Sequence, residues 1–426
     1  MKLRVRKVLT LYLSTTFILA DVGSVFSEIN IKKICNTKRL LEKYHYVVTI
    51  VDTHIDTLIS VVDKNTYLPL NSMTNTDTEV NVKKMVKGGL DFDFWAAYRG
   101  GKMTSYNISR DFRYANNSLL LLINTLYYVD NQNEQLDIAR STKEIKRLVK
   151  QCKVVAIGQI EGAYSLNKDN AIELVRQYYD LGIRSLSLTH NNSRAICEGW
   201  YEHFPDKTPS SGGLSDTGEA IIKEMNKLAM IVDITHLSED SINEILDKSK
   251  EPVIASHTGV QSIVKTGRNL ADEQLDKLAK NGGVAQVTFY TNIIGEDAKN
   301  VSSKEVCDVI DYIVNRIGID HVGIGSDFDS APMPIDLQNA TQLPNLTKEL
   351  MNRGYKKKEI YKILGGNTLR VMKKVEQKIK NKNTGKFLII KPCIKMSKRI
   401  PANTKEFAAT IKIQKGINLK KVVKKL

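Results

Sequence analysis

VVTIVDTHID, residues 47–56, is a run of β-branched and apolar residues that ends in His54 and Asp56. Such a short run, ending in polar residues and followed by a longer amphipathic stretch, reads as a strand. Seven more runs of the same kind follow: FDFWAAY (92–98), VVAIGQIE (154–161), IRSLSLTH (183–190), MIVDITH (230–236), PVIASH (252–257), GVAQVTFY (283–290) and HVGIGSD (321–327). Longer amphipathic stretches separate them, as at 170–180 and 216–228, where Ser215 followed by Asp216 and Glu219 supplies helix-start chemistry. Strands alternating with helices imply a parallel sheet, since each return needs a crossover. The first strand is not followed by a glycine-rich phosphate loop, so the fold expected is α/β, a closed (β/α)8 barrel of the TIM type.

The strand ends carry the chemistry. The runs finish in Asp, Tyr, Glu or His, and a barrel brings all its carboxyl ends to one face. His54 and Asp56 are two apart on a strand, so they share a face about 7 Å apart and can grip one metal ion. Glu161, His190, His236, His257 and Asp327 end other strands, whereas His45, His203 and His321 do not and read as structural. Three imidazoles (His54, His236, His257) and two carboxylates (Asp56, Glu161) suit zinc better than calcium or magnesium. Five ligands exceed what one catalytic zinc takes from protein, so two Zn2+ ions sharing a carboxylate, with a bridging water or hydroxide, are expected.

Composition bounds the rest. A chain of 426 residues with 42% hydrophobic and 26% charged residues is globular in type, long enough for one large barrel with extensions. The formal charge of +16 sits at the ends: residues 378–426 hold fifteen Lys/Arg against Glu406, and Lys2, Arg4, Arg6 and Lys7 precede an apolar run at 8–20. The remainder is near neutral, which argues against a nucleic-acid partner for the barrel. Cations followed by an apolar run too short to span a bilayer read as a signal peptide, residues 1–27, and predict export to a periplasmic or extracellular location with no transmembrane span in the mature chain. The barrel then occupies 28–377, and 378–426 is a basic, weakly ordered tail. Five scattered cysteines without a C-x-x-C pair support neither a disulfide framework nor a thiolate metal site. Residues 191–213 form a long loop beside the expected active face, read as a lid or substrate wall. The chain turns helical after 336, with helices at 347–353 and 357–375.

At this point the chain resembles the membrane (renal) dipeptidases, peptidase family M19. VDTHIDTL (51–58), GGLDFDFWAAY (88–98), QIEGAYSL (159–166), RSLSLTHNNSR (184–194), the stretch 213–239, PVIASHTG (252–259), GRNL (267–270), HVGIGSDFD (321–329) and GGNTLRVMKKVE (365–376) carry the resemblance, in order, over about 45–376. It implies that His54 and Asp56 bind one zinc, that His236 and His257 bind a second, and that Glu161 bridges them. It further implies that His190 binds substrate and stabilises the transition state, that Asp327 manages protons, and that Arg268 holds the substrate carboxylate. The expected activity is hydrolysis of dipeptides, with a D-residue at the carboxyl side left open. The residues at 201–209 and Ser330, where relatives often carry glycine, depart from the pattern, and the basic tail has no counterpart.

Two other readings compete. A barrel hydrolase acting on amide or lactam bonds would favour a His-x-His start and a modified lysine bridge. An inert barrel whose basic tail binds anionic envelope components or nucleic acid would not need all five metal positions intact. The partner expected is a small dipeptide, and oligomeric state is not readable, with a homodimer left open.

Overall fold

The computed structural model describes residues 41–63, 77–98, 112–191, 196–201 and 212–380. The expected signal segment, His203, most of the loop at 191–213, and the tail from 381 onward lie outside the described residues.

The eight expected strands are present: β1 (Val51–Ile55), β2 (Phe92–Ala97), β4 (Val154–Ile160), β5 (Ile183–Ser187), β6 (Ile231–Asp233), β7 (Ile254–Thr258), β8 (Val284–Val287) and β9 (Val322–Ile324). They pair in parallel in chain order. The circuit closes where the Asp56 N–H donates to Phe328 O at 2.9 Å and the Asp327 N–H donates to His54 O at 3.1 Å. An eight-stranded parallel barrel with outer helices results, as the alternating pattern predicts. Each strand is shorter than its sequence run, and in most the last residues of the run lie beyond the strand and build the mouth, whereas β7 keeps His257 and extends to Thr258.

One strand was not expected. β3 (Leu136–Ile138) pairs with Val154–Ala156 of β4. β5 joins β4 only from Gly158. The amino half of that edge of β4 would otherwise be unpaired, and three residues suffice to cover it.

Helix starts follow local chemistry: Asn81, Ser141, Ser215, Ser238 and Ser302 each accept a backbone N–H with the side chain. The helix expected at 170–180 runs Ala171–Asp180, and that at 216–228 runs Asp216–Leu228. The helix expected at 347–353 is longer, Leu343–Asn352, because Pro344 sits in its first turn and starts it rather than ending it. The single helix expected at 357–375 is three pieces: Lys357–Tyr361, a π turn Lys362–Gly366, and Asn367–Lys380. Gly365 is the cause, for a Cβ there would sit 2.6 Å from Thr49 O and from Val51. The bare backbone lets the chain press against the start of β1, and Val371, Met372 and Val375 then cluster with Val51, Phe92, Ile231, Ile254 and Val284 at the amino ends of the strands. Cys152, Cys197 and Cys307 are free thiols.

Candidate metal centre

All the side chains expected at the site are described, and they meet at the carboxyl mouth. His54 and Asp56 come from β1 and the residue beyond it, Glu161 follows β4, His190 follows β5, His236 follows β6, His257 lies on β7, and Asp327 follows β9. Arg268 comes from the segment between β7 and the helix Asp272–Asn281. Gly325 makes the placement of Asp327 possible: a Cβ there would lie 1.8 Å from Ser256 O, so the chain after β9 approaches β7 only without a side chain.

Glu161 is the centre of the cluster. Its Oε1 lies 2.9 Å from His236 Nε2, 3.3 Å from His257 Nε2 and 3.6 Å from His54 Nε2. Asp56 Oδ2 and Asp327 Oδ1 lie 3.5 and 3.9 Å from His54 Nε2. The His54 and His257 rings stack at 3.7 Å, and His190 lies over His236 at 4.1 Å. His54, Asp56, Glu161, His236, His257, Arg268 and Asp327 are all buried. Three overlapping groups have donor atoms close enough to share a cation: His54, Glu161 and His257; Glu161, His190 and His236; and His54, Asp56 and Asp327.

The residues fit a metal on two further observations. Each of the three imidazoles has its Nδ1 on an oxygen: His54 on Gln159 Oε1 at 3.0 Å, His236 on Asn191 Oδ1 at 2.6 Å, His257 on Ser256 Oγ at 2.9 Å. An Nδ1–H held in this way leaves the Nε2 lone pair facing Glu161, the state in which imidazole ligates metals. Moreover, His54 Nε2 and Asp56 Oδ1 are buried with no hydrogen-bond partner among the described residues. Buried polar atoms left so are costly unless something binds them.

The electrostatics agree. Burial opposes charge on His54, but the Glu161, Asp56 and Asp327 carboxylates outweigh it and raise its pKa to about 10. A field that holds a proton there would equally hold a cation. Burial pushes Glu161 well above the usual carboxylate range, and Asp327 to about 6, with Asp56 adding to both. His236 and His257 are driven well down, by burial and then by nearby positive groups. His190 falls to about 3 by burial and the positive Arg268 and His54, so it is neutral. Its Nδ1 lies 3.3 Å from Tyr98 Oη.

Three residues at this mouth, Asn191, His236 and Asp327, have left-handed backbones, with φ of 59°, 68° and 68°. That conformation costs roughly 1–3 kcal/mol for a side-chain-bearing residue, and it concentrates at functional sites. Arg268 Nη2 lies 3.1 Å from His236 Nε2, while its Nη1 is buried without a partner among the described residues. The supporting residues Gln159, Asn191 and Ser256 were missed in the sequence. Only Gln159 carried a signal there, since it stands two before Glu161 on one strand and so shares its face.

The profile of the membrane dipeptidase family, peptidase family M19, matches residues 37–386. The dipeptidase tcpJ of Claviceps purpurea (strain 20.1) is 30% identical over 305 residues, 70% of this chain and 69% of that one. Dipeptidase 3 of Mus musculus is 29% identical over 359 residues, 83% of this chain and 69% of that one. A crystal structure of a metallo peptidase from Rhodobacter sphaeroides, liganded with a phosphinate mimic of the dipeptide L-Ala-D-Ala, shares the fold with a TM-score of 0.67 at 22% identity, covering 77% of this chain and 99% of that one. Fold and site together define a metal-dependent hydrolase on a parallel barrel. The chain belongs to the membrane dipeptidase family, and it is a dipeptidase, a hydrolase of peptide bonds. Among the described residues no helix is long and apolar enough to cross a membrane.

Proposed function

We propose that the chain hydrolyses dipeptides with two zinc ions at the barrel mouth, His54 and Asp56 holding one, His236 and His257 the other, and Glu161 both. The observation that carries this reading is the approach of three imidazole Nε2 atoms to within 3.6 Å of one Glu161 oxygen. Three imidazoles with two carboxylates are a zinc donor set. Bound there, zinc supplies a Lewis acid for the scissile carbonyl and a water acidic enough to attack near neutral pH.

The chain's own groups do the rest. With Tyr98 donating to Nδ1, neutral His190 carries its proton on Nε2 and donates to the carbonyl oxygen as negative charge builds there. Asp327, whose Oδ1 accepts from Ser330 Oγ at 2.7 Å, takes the proton of the attacking water and delivers it to the departing amine nitrogen. Arg268 presents its planar guanidinium to the terminal carboxylate, which limits the substrate to two residues. A D-residue at the carboxyl side also belongs to this reading, because Arg268 recognises the terminal carboxylate, which L- and D-residues share. The cations and apolar run at the amino end support export.

The test is a library of L- and D-containing dipeptides assayed by released amino acid, with and without chelator, alongside metal analysis. Close to two zinc per chain and chelator-sensitive turnover are expected. Reconstituted protein that holds no zinc, or turnover indifferent to chelator, overturns the reading.

A further inference from the structure

Beneath the cluster, Gln159 and Asp233 form a polar connection that the catalytic scheme does not use. Both are fully or almost fully buried in the barrel interior. Gln159 Oε1 faces His54 Nδ1 at 3.0 Å, and Gln159 Nε2 donates to Asp233 Oδ2 at 3.1 Å and to Ser185 Oγ at 3.3 Å. The other Asp233 oxygen, Oδ1, accepts the N–H groups of Thr235 and Ser256, each at 3.0 Å. Ser256 in turn meets His257 Nδ1 through its hydroxyl.

The chemistry of these groups fixes a direction. With both Asp233 oxygens acting as acceptors, the end of the Gln159 side chain that faces Asp233 is its NH2. The amide oxygen is then forced toward His54. An oxygen at that place only accepts as well, so His54 must carry a proton on Nδ1. The Nε2 lone pair is thereby aimed at Glu161.

We infer that Asp233, acting through the Gln159 amide, is a positioning residue that selects the metal-binding tautomer of His54, and that its second oxygen ties this setting to the strand carrying His257. The inference rests on the reading of His54 as a metal ligand. Asp233 touches neither substrate nor metal; it determines which nitrogen of His54 is available. The two backbone N–H groups on Oδ1 hold the carboxylate fixed with Oδ2 turned to Gln159, which is what a polarity-setting group needs.

The arrangement can be reversed, and reversal is the test. In Asp233→Asn, the new amide keeps Oδ1 on the backbone N–H groups and turns its NH2 toward Gln159. Two NH2 groups then face each other, Gln159 flips, and its NH2 meets His54 Nδ1. His54 moves its proton to Nε2 and loses the ligand lone pair. In the double variant Gln159→Glu with Asp233→Asn, amide and carboxylate have changed places: the new Glu accepts from both sides, and His54 Nδ1–H has its acceptor again.

Zinc affinity of the full chain, measured by competition with a chromophoric chelator, should fall roughly 10–100-fold for one of the two ions in Asp233→Asn, the size typical of losing a partner of a metal-binding histidine. The double variant should recover most of that loss. Proton–nitrogen spectra of histidine-labelled, zinc-loaded protein should show the His54 proton on Nδ1 in the wild type, a readout that needs no variant to fold. Native affinity in Asp233→Asn, a double variant no better than the single, or a His54 proton on Nε2 in the wild type each overturns the inference. His54→Ala separates this failure from that of the underlying reading: if the wild type binds no zinc, or His54→Ala binds it normally, the ligand assignment itself fails.

Discussion

His236 Nε2 and Glu161 Oε1 lie 2.9 Å apart although their strands, β6 and β4, are separated by β5. The contact spans the barrel mouth because both residues stand one or more positions beyond their strands. His236 does so with a left-handed backbone, φ 68°. Its ring is then held from behind by Asn191, whose Oδ1 also accepts from Trp200 Nε1 at 2.6 Å. Backbone strain of this kind persists only where the surroundings over-determine it, and here it aims an imidazole at a carboxylate.

Replacing that carboxylate should remove metal without removing the fold. Glu161→Gln keeps the volume and loses the charge that faces His54, His236 and His257. Metal affinity should fall by at least the roughly 10–100-fold seen when a supporting partner is lost, since here the ligand itself is altered. Burial makes the Glu161 carboxylate costly without metal, so the metal-free variant should melt at or above the wild-type temperature. Metal content and thermal melts of chelated protein check both. Unchanged metal content would remove Glu161 from the centre.

Asp327→Asn should separate metal binding from turnover. Asp327 Oδ1 stands 3.9 Å from His54 Nε2, farther than Asp56, and is engaged by Ser330. Loss of a positioned proton carrier typically costs about 10²–10⁴ in rate, so kcat should fall within that range while metal content holds. Full activity would exclude Asp327 from proton transfer; loss of metal together with activity would make it a ligand.

What could be read in the chain follows a physical divide. A strand buried on both faces draws on apolar and β-branched residues, so the runs that hold β1, β4 and β7 announce themselves, and the polar residues that close those runs, Asp56, Glu161 and His257, mark the mouth. The three residues of β3 carry no such pattern, because its place depends on how far β5 reaches along β4. The break at Gly365 was equally hidden: nothing near 365 says that Thr49 will be 2.6 Å from the missing Cβ. The same holds in the site. Glu161 and His257 are legible as strand-end donors, whereas Asn191 holds His236, and Asp233 meets Gln159, only through positions that are distant in sequence.

Arg268 should measure the substrate's end. Its guanidinium is buried, and burial lowers its pKa, so a partner carboxylate would be strongly favoured there. A hydrogen bond to a charged group contributes about 1.5–3 kcal/mol, so Arg268→Met should lower kcat/KM for free dipeptides by roughly 10–150-fold. Dipeptide amides, which lack the carboxylate, should be poor substrates for the wild type and lose little more in the variant. Equal losses on both substrate types would show that Arg268 supports the site and not the carboxylate.

His45, which takes no part in the metal cluster, sets a stability limit in acid. Its Nδ1 meets Thr347 Oγ1 and its Nε2 meets Gly88 O, each at 2.7 Å, joining three separate segments. A carbonyl accepts only, so Nε2 carries the proton and Nδ1 accepts from the threonine; a second proton would force the hydroxyl to turn and accept, and would put a charge in a buried place. Burial lowers the pKa from 6.5 to about 4, against a smaller opposite push from the Gly88 carbonyl. The folded chain therefore binds fewer protons than the unfolded chain between these values. The His45 contribution is complete above about pH 6.5 and is lost as pH falls toward about 4, by up to about 3 kcal/mol. Urea melts of wild type and His45→Gln, in matched metal and buffer, isolate the effect from the other histidines. The stability gap between them should be widest at pH 7 to 8 and close progressively below pH 6.5. A gap independent of pH would mean that His45 does not titrate on unfolding as its burial requires.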